Sequence, residues 1–147
     1  MPLPVAKAFA RDELFRKLEQ EARYFGARGR THFGRKRPQA LDARIKPVFD
    51  GLSDPCYPSG NSTPGMLYAI LLAELAPAQR EAILERGREI GWNRVIAGVH
   101  YPSDVTAGRV LAVALARALL TSPTFQEEFS KVREELDAVR RTQRASR

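Results

Sequence analysis

The sequence is poor in the residues that build covalent frameworks and metal clusters. Cys56 is the single cysteine, so one chain can form no disulfide and no multi-cysteine metal site. A lone thiol neither requires nor excludes an oxidising compartment. Cys56 follows Asp-Pro in a loop-like stretch with no base beside it in sequence, and it reads as structural. Only two histidines are present, His32 and His100, so any chemistry that needs an imidazole has two positions to choose from. Long apolar runs are missing. The stretches Met66–Leu75 and Val110–Leu120 are short and interrupted by Glu74 and Arg117, which excludes a membrane span. The N-terminal MPLPVAKAFARDELF holds no apolar run of signal-sequence length, so the chain reads as soluble. Sustained period-two alternation and hairpin turn signals are also lacking, which argues against a sheet.

What is present is a globular composition. Of 147 residues, 44% are hydrophobic and 28% charged, enough for one domain with its own core. We expect a single compact helical domain over 1–147, with 131–147 as a basic helical tail. Lys and Arg number 24 against 17 acidic residues, a net charge of +7. That excess suits a phosphate ester, nucleic acid or an acidic membrane surface without choosing among them. Part of it sits at Arg140, Arg141, Arg144 and Arg147, where a solvated basic tail is the favoured reading.

Apolar residues recur at helical spacing. Leu14, Phe15, Leu18, Ala22 and Phe25 predict a helix from Asp12 to Phe25, ended by Gly26 and Gly29. A Gly- and Arg-rich basic segment, irregular or partly helical, follows and closes at Pro38. Residues 50–61 form a loop dense in Gly, Pro, Ser and Asp. A buried helix is expected over Thr63–Ala76, and the next starts at Pro77. Another begins near Pro102, and a last one after Pro123 carries Phe125, Phe129, Val132, Leu136 and Val139 toward the core or a partner subunit. The fold class is all-α, with about six helices.

Three clusters carry chemical potential, each near a loop–helix junction. The first runs from Arg30 through His32, Arg35, Lys36 and Arg37 to Pro38. Guanidinium groups meet phosphate with paired hydrogen bonds and keep their charge. A solvated basic loop or a nucleic-acid contact fits the same residues. The second is Tyr57-Pro-Ser59-Gly60-Asn61-Ser62. Backbone N–H groups at a helix start, with the Ser59 hydroxyl and the bare Gly60, can hold an oxyanion, though taken alone the cluster is better read as capping by Ser59 or Ser62. The third is Asn93-Arg94, then His100 and Asp104. With Pro102 opening a helix, Asp104 lies in its first turn and can fold back to hold one imidazole nitrogen, leaving the other to attack. Gly98 would let the chain turn so that Arg94 reaches the same space. A capping Asp104 beside a surface His100 remains open on these residues alone.

Together the clusters resemble the signature of the type 2 phosphatidic acid phosphatase superfamily, which includes bacterial class A acid phosphatases and vanadium haloperoxidases. That pattern is Lys, six residues, Arg-Pro; Pro-Ser-Gly-His; and Ser-Arg, five residues, His, three residues, Asp. Here it reads Arg30 to Arg37-Pro38, Pro58-Ser59-Gly60-Asn61, and Asn93-Arg94 to His100 and Asp104, in order and with the internal spacings kept. The resemblance to the class A acid phosphatases extends from about Val5 to Lys131.

The resemblance implies a phosphomonoester hydrolase with His100 as nucleophile and Asp104 as its orienter. Arg30, Arg37, Arg94, Ser59 and Gly60 would bind the phosphoryl oxygens. It implies small phosphate-ester substrates, no required metal or cofactor, a site that phosphate or vanadate can occupy, a homo-oligomer, and a periplasmic or secreted location. Arg30 replaces Lys and keeps the charge, and Asn93 replaces Ser. The larger departure is Asn61, which stands where the family has the histidine that protonates the leaving group. An amide cannot serve as a general acid, and His32 is the one other imidazole in the chain. A weakened phosphatase, one tuned toward phosphotransfer and an introduced change that traps a state are compatible with Asn61; the alternatives are a catalytically silent oxyanion-binding homologue and, as the lesser one, a vanadium-dependent haloperoxidase that shares the anion site. Nucleic-acid binding lacks a recognisable reading motif.

Overall fold

The structure, a computed structural model, describes residues 13–145. Its elements are α1 (Glu13–Phe33), α2 (Pro38–Leu41), α3 (Ser62–Leu75), a 3-10 turn (Pro77–Gln79), α4 (Arg80–Ile96), α5 (Pro102–Thr121) and α6 (Pro123–Ala145). No strand occurs among the described residues, and the all-α class is as expected from sequence. Asp12, the stretch from Val5 that precedes it, and Arg147 of the expected tail lie outside the described residues.

Helix α3 is apolar on every side, STPGMLYAILLAEL, and such a helix must be enclosed. Helices α4 and α5 pack along it, and α1 covers a further side. The core joins Leu18 and Ala22 of α1, Leu67 and Leu71 of α3, Ala112 and Ala116 of α5, and Phe125, Phe129, Val132 and Leu136 of α6. The apolar stripe of the last helix, left open between core and partner, therefore belongs to this chain's own core. Arg140 is not simply solvated: its Nη1 donates to the carbonyl of Leu75 at 3.3 Å and so satisfies a free acceptor at the end of α3.

The three central helices meet at Ser62. A Cβ on Gly91 of α4 would lie 2.8 Å from both Ser62 Oγ and Val105 Cγ1, and one on Gly108 of α5 would lie 2.8 Å from Ser62 Cβ. Ser62 Oγ in turn donates to the carbonyl of Val105 at 2.8 Å. This close approach brings the end of α4 and the start of α5 against the start of α3, where the second and third clusters lie.

Helix α1 corrects the sequence reading. It runs through Gly26 and Gly29 to Phe33 instead of ending at Phe25, so the irregular basic segment shrinks to residues 34–37. Gly26 is buried, and a Cβ on Gly29 would sit 2.7 Å from Pro58 Cδ. Gly29 serves contact with the second cluster, not helix termination. Pro77 opens a 3-10 turn before α4, a small shift from the expected start. Among the described residues no single helix is long and apolar enough to cross a membrane.

Helix propensity alone would make Gly91→Ala stabilising by up to about 1 kcal/mol. The packing predicts the opposite sign, a loss of about 1–3 kcal/mol from overcrowding at Ser62 and Val105. Urea unfolding of the two proteins decides between them, and a higher midpoint for Gly91→Ala would contradict this packing account.

Candidate active site

The site is assembled around the turn between α4 and α5. Gly98 adopts φ 72°, a left-handed conformation that glycine takes without strain, and it reverses the chain after α4. His100 follows, 5% exposed, and α5 begins at Pro102. Asp104 lies in its first turn with no solvent exposure. Its Oδ2 accepts from the Tyr101 backbone N–H at 3.0 Å and lies 3.1 Å from His100 Nδ1. The fold-back expected from the spacing therefore does two tasks at once: it caps α5 and occupies one imidazole nitrogen. Burial pushes the Asp104 carboxyl up. Hydrogen bonds from His100, the Tyr101 N–H, Cys56 and Arg35 outweigh burial and hold it below the usual carboxylate range.

Of the cationic residues, Arg37 reaches the same turn, and Arg30 is joined to it through Asp54. Arg37, 6% exposed, donates through Nη1 to the carbonyl of Val99 at 3.0 Å, next to His100. Its Nη2 meets Asp54 Oδ1 at 2.6 Å, and Arg30 Nε lies 3.6 Å from Asp54 Oδ2, so one carboxylate links the two guanidinium groups. Arg30 lies across Gly60, where a Cβ would come within 2.9 Å of its Nη1. Arg94, in the last turn of α4, has its guanidinium 4.7 Å from the centre of the Phe49 ring. Burial first, and the charge of Arg37 second, push the Arg94 guanidinium below its usual value. Arg30 Nη1 and Arg94 Nε are buried and make no hydrogen bond. Gln39 Oε1 and Arg109 Nε share that state, but neither belongs to the three clusters.

The second cluster is tied to the third through the backbone, because Ser59 N–H donates to the carbonyl of Asp104 at 3.0 Å. Ser59 is fully buried, and its Oγ accepts weakly from Ser62 N–H at 3.4 Å. The capping role is real and leaves its hydroxyl proton for another acceptor. Asn61 precedes α3, is half-buried, and makes no side-chain cap bond. Asn93 is exposed, and so is His32, whose ring packs edge-on against Phe33 with centroids 4.8 Å apart.

With this geometry in view, comparison with known proteins gives a consistent answer. The model of the PAP2 superfamily matches residues 29–128, more than half of the chain and all three clusters. The chain belongs to the PAP2 superfamily. It is 44% identical over 81 residues to a non-specific acid phosphatase of Salmonella typhimurium, covering 55% of this chain and 32% of that protein. It is 35% identical over 124 residues to a non-specific acid phosphatase of Salmonella typhi, covering 82% and 50%. A third non-specific acid phosphatase, from Providencia stuartii, is 40% identical over 79 residues, covering 54% and 32%. The chain thus spans between a third and a half of the length of these relatives.

Three residues of this PAP2 site were not singled out from sequence. Arg35 donates through Nη1 to Asp104 Oδ1 and to Ser103 Oγ, each at 2.7 Å. It lies in the first cluster, but spacing could not rank it among five bases. Asp54 carried no signal beyond an acidic residue in a loop. Cys56, read as structural, is fully buried in the wall of the site, with its donor atom within 4.8 Å of those of His100 and Asp104. Burial first and the Asp104 carboxylate second push the thiol up to about 12, so it stays protonated and is no nucleophile. The Asp104 oxygens and His100 Nδ1 are already committed to one another, to Tyr101 and to Arg35, which makes this trio a hydrogen-bonded dyad with a thiol behind it.

An apolar groove of about 650 Å³ lies on the outer side of the start of α5, lined by residues that include Tyr57, Ser103, Val110 and Leu111. Arg30, Arg37, Arg94 and His100 do not line it.

Because the folded-state value of Asp104 lies below its ordinary one, the ionised carboxylate stabilises the fold at pH above about 3.9. That contribution fades as pH falls through the lower folded value. Asp104→Asn should cost about 1–3 kcal/mol at pH 7 by leaving its donors underserved, and the gap to the parent should narrow below about pH 4. Urea unfolding between pH 7 and pH 3 measures this; a gap that stays constant over that range would contradict the assignment of an ionised Asp104.

Proposed function

We propose that this chain is the catalytic part of a phosphomonoester hydrolase that works through a phosphohistidine at His100. The observation that carries the reading is the pair of buried, unpartnered guanidinium nitrogens, Arg30 Nη1 and Arg94 Nε, linked through Arg37 to the turn that holds the His100–Asp104 dyad. Like charges gathered in a partly buried space are costly unless an anion neutralises them, and a phosphoryl group supplies that charge. Asp104 on Nδ1 leaves Nε2 as the nitrogen with a free lone pair.

In the reaction, Nε2 of His100 forms a bond to phosphorus while the ester P–O bond breaks and the leaving group departs with the electron pair. The guanidinium groups, Ser59 and the Gly60 N–H balance charge on the three phosphoryl oxygens. Water then attacks phosphorus, the P–N bond breaks, and inorganic phosphate and free imidazole result. No metal or organic cofactor enters this scheme, and phosphate or vanadate would occupy the same cage. Acid phosphatase activity in the three relatives supports the substrate class. An exported, homo-oligomeric enzyme belongs to the same proposal and rests on the resemblance.

Asn61 favours a second reading, an oxyanion-binding protein that has lost turnover, because no proton donor stands at that position for the leaving oxygen. Under the leading reading the loss is selective. Aryl phosphates, whose phenolate leaves unaided, are cleaved, while alkyl phosphates are nearly inert. Asn61→His should raise turnover of alkyl phosphates by about 10²–10⁴-fold. Rapid quenching should trap acid-labile, base-stable phosphate on His100 in the parent. Equal parent rates on aryl and alkyl esters would overturn the role given to Asn61. No trapped phosphate and no gain in Asn61→His would favour the silent binder.

A further inference from the structure

We propose that Arg35 is a positioning residue for the reaction, fixing through Asp104 the orientation in which the His100 imidazole attacks; this rests on the phosphohistidine reading above. Arg35 is absent from the three-part signature that gave the other site residues, and its geometry differs from theirs. Its Nη1 is shared between Asp104 Oδ1 and Ser103 Oγ at 2.7 Å each. The guanidinium lies 4.5 Å from the centre of the Tyr57 ring and 5.7 Å from that of Tyr101, so aromatic rings hold the fork. Its backbone is fixed as well. Gly34, at φ 58°, turns the chain out of α1, and the carbonyl of Arg35 accepts from the Cys56 N–H at 3.0 Å.

The division of labour at Asp104 follows. Oδ2 serves His100 Nδ1 and the Tyr101 N–H, while Oδ1 serves Arg35. A carboxylate bonded through one oxygen can rotate about Cβ–Cγ; bonding the second oxygen to a clamped guanidinium stops that rotation and with it the swing of the imidazole. Arg35 also adds to the hydrogen bonds from His100, the Tyr101 N–H and Cys56 that hold the fully buried Asp104 carboxyl below the usual range. The titratable groups that face the carboxylate are His100 and Tyr101 from its own turn, Arg35 from the segment after α1, and Cys56 from the long loop. Of these, Arg35 alone is a permanent cation. Its Nη1 is committed to Asp104, the partner of His100 Nδ1, and to Ser103, whereas a phosphoryl group would bond at Nε2.

The test compares the parent with Arg35→Gln and Arg35→Lys. For a 4-nitrophenyl phosphate substrate, Arg35→Gln should lower kcat by about 10–100-fold, the range for groups that orient a functional imidazole from behind. KM should change little. With its cation gone, Asp104 takes up a proton more readily, so the acid limb of the kcat profile should move to higher pH. Arg35→Lys should recover part of both. In proton NMR of the unliganded protein, the His100 Nδ1–H resonance should be strongly downfield in the parent, weakened in Arg35→Gln and partly restored in Arg35→Lys. A raised KM with kcat and acid limb unchanged would make Arg35 a phosphate ligand and overturn the proposal, as would an unaltered Nδ1–H resonance. If Arg35→Gln does not fold, Tyr57→Leu removes the ring against the guanidinium and keeps the charge; it should move kcat and the resonance in the same direction by less, and no movement would overturn the proposal. Absence of trapped phosphate in the parent would count against the phosphohistidine reading itself, while the resonance still reports whether Arg35 holds the dyad.

Discussion

An ionised carboxylate with no solvent exposure is costly, and the parts of this molecule that matter most are arranged around one. Asp104 loses water on every side and regains its hydrogen bonds from the Tyr101 N–H, His100 and Arg35. Its own backbone carbonyl accepts from Ser59. One residue thus ties the segment after α1, the loop before α3 and the turn before α5 to a common point. Take away the carboxylate and the segment after α1 loses its tie to the turn before α5, and the imidazole loses its orientation, while the Ser59 bond to the backbone carbonyl remains. Its place in the first turn of α5 adds the favourable field of the helix start.

The helical scaffold supplies the rigidity this anchor needs. α3 is enclosed by α4, α5 and α1, and its start is pinned where glycines of α4 and α5 close on Ser62. That contact lies three residues from Ser59 and one from Asn61, so core packing is transmitted directly into the loop that would face a phosphoryl group. The loop before α3 contributes through charge. Asp54 keeps Arg30 and Arg37 from repelling one another, while Arg30 Nη1 and Arg94 Nε make no hydrogen bond. The result is a set of partly buried cations whose charge a bound anion would balance.

Much of this is legible in the sequence. The all-α class follows from the absence of alternation, the expected Thr63–Ala76 differs from α3 by one residue at each end, and the starts of α5 and α6 are legible because Pro102 and Pro123 mark helix starts in a way few other residues do. The His100–Asp104 pairing was legible because a proline between them fixes where the helix begins. The end of α1 was misread: Gly29 looks like a helix stop in sequence, and only Pro58, twenty-nine residues away, explains it as a contact. Arg35 and Asp54 were invisible for a related reason. Their roles come from which cation meets which carboxylate across the fold, and the spacing of charges along a basic segment does not encode that. Cys56 was placed correctly in a loop but not beside the dyad, because the loop's path is set by hydrogen bonds to residues 35 and 36.

The central claim is that the three clusters form one receptor for a phosphoryl group with His100 as its nucleophile. The most direct measurement is a crystal structure of the protein soaked with orthovanadate, which adopts the trigonal bipyramidal geometry of the transition state. The account predicts vanadium bonded to Nε2 of His100, with vanadate oxygens within hydrogen-bond distance of Arg30 Nη1 and Arg94 Nε. Vanadate bound elsewhere, or no density at His100 at saturating concentration, would contradict it.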